Sequence, residues 1–500
     1  MAEAVAPPSP DVAFYMFGAQ RVLQGSRLYR DLIDLNPPLI FWLNIPPALM
    51  AGALHLSPLA VYRFSVTLVL ISVLAVSQDS LRRICQDSGE LSRASINAML
   101  VFALLALPGE AFGQREHLMF ALALPYILCV VAQASSPEPV RSGWLIGLLA
   151  GIGFSLKPYF LILWVVLEVW LRRKAPATRL ARSELLATAL VVLAYGLAVC
   201  FLTPEYFTVV RVLGEAYRKY MSLPVVSTLV VGEGSTIPLL TLLVYATVSR
   251  RAANPVLVQA LALALASLLL AAALQQKGWW YHFYPSSAVS VVLLGIMVIR
   301  ARAARARFAS GVYGLTAAAA LAFLCITTVV RSVSVALHPF AEDVTRYPGF
   351  HELLALVRQR APGGTLMIWS FNIRSAFPLV TLSGARWGSR FPSMWLVPAS
   401  YWDAMPKPGP ARFRPLSERS AAERLLDSAM VTDMRSHPPE MLLILSPSRD
   451  SGANGFERLD LRSYFAMDPE IAQMLTCYRY VELIGVHEVY QRSDAGACRQ

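Results

Sequence analysis

The feature that most constrains this chain is a succession of apolar segments, most of them close to the length that crosses a lipid bilayer. A crossing helix needs roughly twenty apolar residues. In the 500-residue chain 56% of residues are hydrophobic and 15% are charged, and the mean hydropathy is +0.51. Soluble domains carry about a quarter charged residues. We therefore predict a polytopic α-helical membrane protein.

Apolar segments define the predicted spans. The stretch Trp144 to Leu171 is too long for one crossing and contains Lys157-Pro158, which predicts two short helices that meet there. Together with the remaining segments it gives about ten spans. Those remaining segments are 59–77, 95–109, 117–134, 184–203, 235–249, 255–274, 285–299 and 308–330.

Arg and Lys clusters predict the orientation, because cytoplasmic loops carry an excess of both. We assign to the cytoplasm Arg82-Arg83, Arg172-Arg173-Lys174, Arg250-Arg251 and the run from Arg300 to Arg307. The alternate loops 108–116, 203–235 and 275–285, and everything after Arg331, then face the periplasm. This orientation predicts a bacterial inner-membrane protein with a periplasmic C-terminal domain.

The N-terminal segment 1–58 contains an apolar stretch that conflicts with the predicted orientation if it is counted as a span. Leu39 to Leu54 is apolar, but Pro46-Pro47 removes backbone donors and is expected to interrupt a spanning helix. We therefore predict an interfacial segment within a periplasmic first loop. Met1 to Pro10 has no apolar core of a cleavable signal peptide. Either this segment crosses unaided or the natural start lies upstream.

The C-terminal region changes character. Short strand-like runs, Thr365 to Trp369, Met441 to Leu445 and Tyr480 to Ile484, alternate with helical patterns such as His351 to Arg360. This predicts a small α/β domain over 340–500, after a transmembrane domain over 59–331. Of the six cysteines, Cys477 and Cys498 lie outside the apolar part, and a disulfide between them and two unpaired thiols both stay open.

Several classes of function are excluded by what the sequence lacks. The basic residues, which give a net charge of +12, form short clusters between apolar runs and no nucleic-acid stripe. The sequence contains no CxxC pair, no zinc-type spacing, no GxxxxGK[ST] loop and no GxGxxG after a strand. A DxD sequence is also missing. A donor presented from the lipid phase needs none of these nucleotide-binding devices.

The first polar cluster carries a family resemblance. Asp11 precedes Tyr15 by four residues, and a G-x-x-L-Y-x-D stretch containing Asp31 runs through Asp34 into Pro37-Pro38-Leu39. This pattern resembles the first periplasmic loop of GT-C glycosyltransferases, in the bacterial branch of protein mannosyltransferases and aminoarabinose transferases. The similarity covers 11 to about 75 well and the remainder as architecture.

The resemblance implies a GT-C-like membrane fold and a catalytic aspartate in this loop. An inverting transfer needs a carboxylate that takes the proton from the acceptor hydroxyl while the phosphate of the donor leaves from the opposite face. We expect Asp11 to be that base, with Asp31 and Asp34 as alternatives and Tyr15 in the substrate site. Helix capping and turn formation are the ordinary structural explanations for the three aspartates.

Two further clusters lie in predicted periplasmic loops. Arg115, Glu116 and His117 form part of a dense polar group at a membrane edge, where cations are suited to the charge of a leaving phosphate. Lys277 and His282 are candidates for binding phosphate, and the aromatic face of Tyr281 suits a sugar ring. An aromatic belt at the interface explains the neighbouring tryptophans. A solvated turn is the alternative for the first group.

Lys157, at the predicted helix break, is the fourth candidate. A cation at membrane depth needs an anionic partner, such as a phosphate or a structural carboxylate, unless its side chain extends to the interface. We expect Asp11, Arg115, Lys157, Lys277 and His282 to line one periplasmic cavity.

The leading hypothesis is a GT-C-type glycosyltransferase that uses a polyprenyl-phosphate sugar donor and a glycan, lipid or protein acceptor of the cell envelope. It predicts contact with membrane lipid and no nucleic-acid partner. No metal site or other cofactor is predicted, and a divalent cation is left open. A transporter or flippase of lipid-linked sugars and a non-enzymatic scaffold for polysaccharide assembly are the alternatives. The four clusters on one predicted face favour the enzyme, and the missing internal repeat disfavours the transporter.

Overall fold

The chain forms two compact units. The computed structural model describes residues 9–86, 91–136, 138–178, 181–249, 256–303, 308–337, 349–404, 412–447 and 459–493. Leu56–Phe201 and Leu223–Leu337 form the first unit, which we call the membrane unit. Pro7–His55, Leu202–Ser222 and His338–Gln500 form the second, which we call the mixed unit. The first loop and the C-terminal region therefore share one compact body.

Helices dominate the described residues. In chain order they are α1 (Pro10–Leu23), α2 (Leu39–Leu54), α3 (Pro58–Gln86), α4 (Arg93–Val101), α5 (Arg115–Ser135), α6 (Gly143–Ser155), α7 (Leu161–Lys174), α8 (Ser183–Leu202), α9 (Glu205–Lys219), α10 (Val225–Val231), α11 (Thr236–Ser249), α12 (Val256–Leu274), α13 (Tyr284–Ala303), α14 (Phe308–Leu337), α15 (Phe350–Arg360), α16 (Leu379–Ser383), α17 (Leu396–Ser400), α18 (Ala421–Ser436), α19 (Leu461–Phe465) and α20 (Pro469–Leu475).

Within the described residues, six helices are long and apolar enough to cross a membrane, so the protein is a multi-pass membrane protein. A seventh span arises if α10 and α11, which meet at 94°, count as one broken helix. The prediction of about ten spans is not confirmed. Helix α6 has only 13 residues, and α4 with its continuation to Ala106 is also short.

The predicted interruption at Pro46-Pro47 is wrong. Helix α2 runs as one 16-residue helix with both prolines inside it. A proline removes one intrahelical hydrogen bond but keeps a helical φ, so a helix supported by packing tolerates it. Buried residues on both sides of the pair, Phe41 and Ala51 among them, provide that support. The interfacial location of this helix stays a prediction.

Helix α5 lies at the centre of the membrane unit. It packs against α3, α6, α7, α12 and α13. Within its most apolar stretch of 18 residues, 89% of the residues are buried. Helix α6 approaches α8 closely at Gly147, where an added Cβ would lie 2.2 Å from the backbone oxygen of Glu184. Small residues allow such close contact between helices in a membrane.

The mixed unit contains a five-stranded sheet of order β2-β1-β3-β5-β4. Its strands are β1 (Thr365–Trp369), β2 (Arg386–Trp387), β3 (Met441–Leu445), β4 (Tyr478–Ile484) and β5 (His487–Arg492). β1 pairs in parallel with β2 and β3, and β5 pairs antiparallel with β3 and β4. All residues of β1 and β3 are buried, as their continuous apolar sequences predict.

The strands and the helix expected in the C-terminal region are confirmed. β1 and β3 have the predicted bounds, β4 begins at Tyr478, and the predicted helix corresponds to α15. Cys477, just before β4, is disulfide-bonded. Cys498, the candidate partner that the sequence offered, lies outside the described residues.

Arg182 holds together the end of the bundle where α5 finishes. Its guanidinium forms ion pairs with Glu168 of α7 and Glu184 of α8 and donates to Gln133 of α5 over 2.6 Å. Tyr126 also donates to Glu168, over 2.5 Å. The side chains of Arg182 and Glu184 are only 7% and 2% exposed. The network therefore fixes three helices through a buried cation between two carboxylates.

We expect Arg182→Gln to lower the stability of the protein strongly. Removing the cation leaves buried carboxylates unpaired, which costs about 3–5 kcal/mol in comparable sites. Thermal unfolding in detergent provides the measurement, as a clear fall in Tm. The control is Lys219→Gln, which breaks an exposed i,i+4 pair with Glu215 and should leave Tm unchanged. Equal Tm values for both variants would contradict a stabilising role of the network.

Candidate functional site

Lys157 lies at a break between two helices. Helix α6 ends at Ser155, Pro158 begins a short 3-10 turn, and α7 follows at Leu161. The residue before a proline is biased to extended backbone, and Lys157 has φ −148° and ψ 140°. The predicted pair of short helices is thereby confirmed. Although it stands in an apolar sequence, Lys157 is only 6% exposed.

The ammonium group of Lys157 contacts residues from two other parts of the membrane unit. It forms an ion pair with Glu116, in the first turn of α5, and donates to Gln275 Oε1 over 2.7 Å. His282 Nε2 lies 3.5 Å from Lys157 Nζ and 3.7 Å from Glu116 Oε1. Residues far apart in sequence therefore converge on one buried ammonium group.

Two polar atoms of this cluster are left without a hydrogen bond among the residues that the structure describes. They are Glu116 Oε2 and His282 Nδ1, and both are buried. Glu116 itself is fully buried and His282 is 4% exposed. A buried polar atom without a partner costs free energy, so such atoms mark a place for a ligand or a water molecule.

Three buried cations lie around this cluster. Arg115, Lys157 and Lys277 each interact electrostatically with His282, and all three cations are buried. Glu116 supplies a negative charge next to Lys157. Buried cations are stable where anions compensate them. Such a concentration of cations is chemically suited to an anionic ligand.

A constrained loop presents Lys277. The backbone amides of Leu223 and Glu233 donate to the carbonyls of Gln276 and Gly278 over 2.9 Å each. Gly278 has φ +64°, a left-handed conformation that favours glycine, and an added Cβ would meet Leu223 at 2.9 Å. Burial lowers the pKa of Lys277 to about 8.

Aromatic rings surround the cluster. The ring centroid of Tyr281 lies 4.6 Å from that of His282 and 6.0 Å from Lys157 Nζ. Arg331 lies over Trp280 at 4.2 Å and within 3.8 Å of Glu110. Such faces suit a sugar ring, as Tyr281 was predicted to provide.

His117 is positioned by the backbone rather than by this cluster. The amide of Gly113 donates to its Nδ1 over 2.9 Å, and its Nε2 donates to the carbonyl of Leu104 over 2.9 Å. Leu104 lies in a π-helical turn, Phe102–Ala106, whose wider spacing leaves carbonyls for side chains. Both ring nitrogens are thus occupied, and the geometry supports a structural role instead of the predicted contact with phosphate.

The remaining candidates lie in the mixed unit. Asp11 stands in the first turn of α1, where the helix dipole favours a carboxylate, and is half-buried. Asp31 accepts from the amide of Arg27 over 2.8 Å, and Asp34 accepts from the amide of Asn36 over 3.2 Å. Both hydrogen bonds join residues close in sequence and stabilise turns. The choice of Asp11 among the three aspartates as the base stays a prediction.

Tyr15, also in the mixed unit, is 1% exposed, and its ring lies 5.6 Å from that of Phe41. Packing therefore explains the position of the Tyr15 ring.

The structure brings Glu116, Lys157 and His282 into contact, with Arg115, Lys277 and Tyr281 nearby. A common cavity with Asp11 stays a prediction.

Sequence reasoning did not select Gln275 and Arg331 as site residues. Gln275 follows α12 and accepts a hydrogen bond from Lys157, and its polar side chain after a long apolar segment was the available signal. Arg331 closes the last apolar segment and was interpreted only as its boundary. In the described ranges, no group of three or more His, Cys, Asp or Glu side chains is placed to hold a metal ion.

Solved structures similar to this chain share its fold. ArnT from Cupriavidus metallidurans bound to undecaprenyl phosphate matches with a TM-score of 0.57 and 13% identity, over 99% of this chain and 96% of ArnT. Apo ArnT from the same organism matches over 97% and 93%, with a TM-score of 0.49 and 12% identity. The match with the TM-score of 0.57 shows that the chain has the fold of ArnT, as the resemblance implied. No protein-family model and no curated protein sequence matches the chain.

We expect His117→Asn and His282→Asn to affect stability differently. Asparagine at 117 cannot satisfy both Gly113 and Leu104, and each buried backbone group left unpaired costs about 1–3 kcal/mol. His282 contacts site residues, so its variant should keep Tm near that of the wild type. Thermal unfolding in detergent measures both. A His117→Asn protein that melts like the wild type would contradict the structural role of His117.

Proposed function

We propose that this protein is a GT-C glycosyltransferase that moves a sugar from a polyprenyl-phosphate donor to an envelope acceptor, with inversion. The observation that carries the proposal is the buried cluster around Lys157, in which Arg115, Lys157 and Lys277 all interact with His282. A lipid-linked donor brings both a negative phosphate and an apolar chain. These features match a cationic site inside a bundle of apolar helices.

The similar fold supports the same class of donor. The ArnT structure with the TM-score of 0.57 is bound to undecaprenyl phosphate. Sequence identity of 13% limits that comparison to the fold, so the ligand is part of the proposal. The residues around Lys157 are the independent support from this chain.

The proposed reaction divides the chemistry between two groups of residues. Asp11 takes the proton of the acceptor hydroxyl as its oxygen bonds to the anomeric carbon of the sugar. The bond from that carbon to the phosphate oxygen breaks, and Lys157, Arg115 and Lys277 stabilise the negative charge on the leaving polyprenyl phosphate. Attack opposite the leaving group inverts the anomeric centre.

Glu116 has a distinct role in this scheme. It balances Lys157 in the free enzyme, so the donor phosphate must share or replace that contact. This competition allows the phosphate product to leave after transfer, because Lys157 can form its ion pair with Glu116 again. Tyr281 provides an aromatic face for the sugar.

We place the reaction at the periplasmic face of a bacterial inner membrane, as the distribution of Arg and Lys predicts. The acceptor is a lipid, a glycan or a protein of the envelope. Movement of a lipid-linked sugar across the membrane is the second candidate. The break between α10 and α11 favours it, because transporters often use broken helices at their binding sites.

Sugar transfer is the first test. Purified full-length protein in detergent is incubated with a panel of undecaprenyl-phosphate sugars, and donor consumption is followed. We expect turnover by the wild type and at least about a hundredfold lower kcat for Asp11→Asn, the range of loss of a general base. Asp460→Asn is the control, since Asp460 caps the helix Leu461–Phe465.

The outcome also distinguishes enzyme from transporter. Unchanged turnover in a folded Asp11→Asn protein would exclude Asp11 as the base. If no donor is consumed but the reconstituted protein moves a lipid-linked sugar across a vesicle bilayer, the transporter hypothesis replaces the enzyme.

Binding of undecaprenyl phosphate is expected to weaken as the pH rises through about 8, the pKa of Lys277. The ammonium form binds phosphate, and deprotonation above the pKa removes its charge. If binding requires this charge, the apparent Kd should rise about tenfold between pH 7 and pH 9. Lys277→Arg should abolish the rise because arginine stays charged. The same pH dependence in Lys277→Arg would assign it to another group.

A further inference from the structure

Within the first loop, residues 25–36 adopt a compact conformation that includes a left-handed residue. Tyr29 has φ +68°, which is unusual for a bulky side chain, and is 4% exposed. Its amide donates to the carbonyl of Leu32 over 2.7 Å, and its hydroxyl donates to the carbonyl of Asn36 over 2.6 Å. A conformation of this kind persists where surrounding contacts enforce it.

One such contact comes from the C-terminal region. The amide of Ile33 donates to the carbonyl of Arg390 over 2.8 Å. Asp433, on α18, in turn accepts from the amide of Arg390 over 2.8 Å and from its Nε over 2.7 Å. The bidentate contact fixes both backbone and side chain of Arg390. A chain of hydrogen bonds thus connects a buried carboxylate of α18 to the first loop.

Helix α1, which carries Asp11, rests on the same region. The rings of Phe14 and Phe17 lie 5.3 Å and 5.2 Å from the ring of Phe377. Phe377 is fully buried and also contacts Trp387 of β2 at 5.7 Å. Phe14 stands one helical turn after Asp11, so packing at Phe377 determines where that turn lies.

The segment between α8 and α10 supports the loop on another side. Tyr206 of α9 lies 5.0 Å from the ring of Tyr29. Helix α9 itself is held on the C-terminal region by Tyr217 and Tyr220, whose rings lie 5.8 Å and 6.0 Å from Trp395. The contacts named here all lie within the mixed unit.

We infer that the C-terminal region acts as a scaffold for the first loop, and that Asp433 and Phe377 are positioning residues for the transfer reaction. Asp433 acts through Arg390 on the loop, and Phe377 acts through Phe14 on the helix of Asp11. The inference rests on the proposed function, because its effect on rate requires Asp11 to be the base. It assigns the C-terminal region a task other than recognition of the acceptor.

The two tasks predict different kinetics. A region that binds acceptor contributes to ground-state binding, so damage raises the KM for acceptor. A scaffold sets the geometry of the base, and a small displacement of a catalytic group lowers kcat. The ratio of the two effects therefore separates positioning from recognition.

The test uses full-length Asp433→Asn, which keeps the size of the side chain and removes its charge. Without substrate, hydrogen exchange measured by mass spectrometry should accelerate about tenfold in peptides that cover 25–36, while β1 and β3 stay protected. With the donor that the panel identifies, kcat should fall about tenfold while both KM values stay within about twofold. Phe377→Leu should accelerate exchange in α1 and lower kcat similarly.

The control is Asp468→Asn, the same substitution in the same region. Asp468 caps α20 by accepting from the amide of Glu470 over 2.9 Å. We expect it to leave exchange in the first loop and kcat unchanged. If Asp433→Asn does not fold, Arg390→Gln removes the same ion pair and replaces it in both measurements.

Each result has a definite meaning. Unchanged exchange in the first loop of a folded Asp433→Asn protein would overturn the scaffold, and so would a raised KM for acceptor with an unchanged kcat. If the wild type consumes no donor, the proposed function fails by itself, and the exchange experiment still decides whether Asp433 holds the loop.

Discussion

A charge enclosed by apolar helices is stable where a partner of opposite sign lies within reach. In the membrane unit this requirement acts at both ends of α5, where Glu116 meets Lys157 and Gln133 joins the network of Arg182. Helix α7 takes part in both, since it starts just after Lys157 and carries Glu168. The two clusters therefore fix the register of α5 and α7, and the geometry around Lys157 depends on that register.

Sequence reasoning was most reliable where one strong physical signal dominates. Long apolar runs located the helices, and proline after Lys157 located the break that brings this side chain among the helices. The buried strands β1 and β3 followed from uninterrupted apolar residues. It was less reliable where packing decides, as in α2, which continues through its two prolines because neighbours support it.

The direction of individual side chains was beyond sequence reasoning. Glu116 and His117 are adjacent in sequence, yet one meets Lys157 and the other binds the backbone of Gly113 and Leu104. The difference arises from a helix turn of about 100° per residue combined with the π-helical turn opposite. Asp31 and Asp34 likewise turned out to hold their own loop. Composition cannot distinguish such neighbours.

The mixed unit is assembled from three separate stretches of chain, 7–55, 202–222 and 338–500. During synthesis the first stretch leaves the ribosome long before its partners exist, a delay on the order of tens of seconds at usual elongation rates. Throughout that interval its aromatic residues lack Phe377 and the loop lacks Arg390. Until residues 338–500 are made, the first stretch keeps only contacts within itself, such as that of Tyr15 with Phe41, so its native packing is completed last.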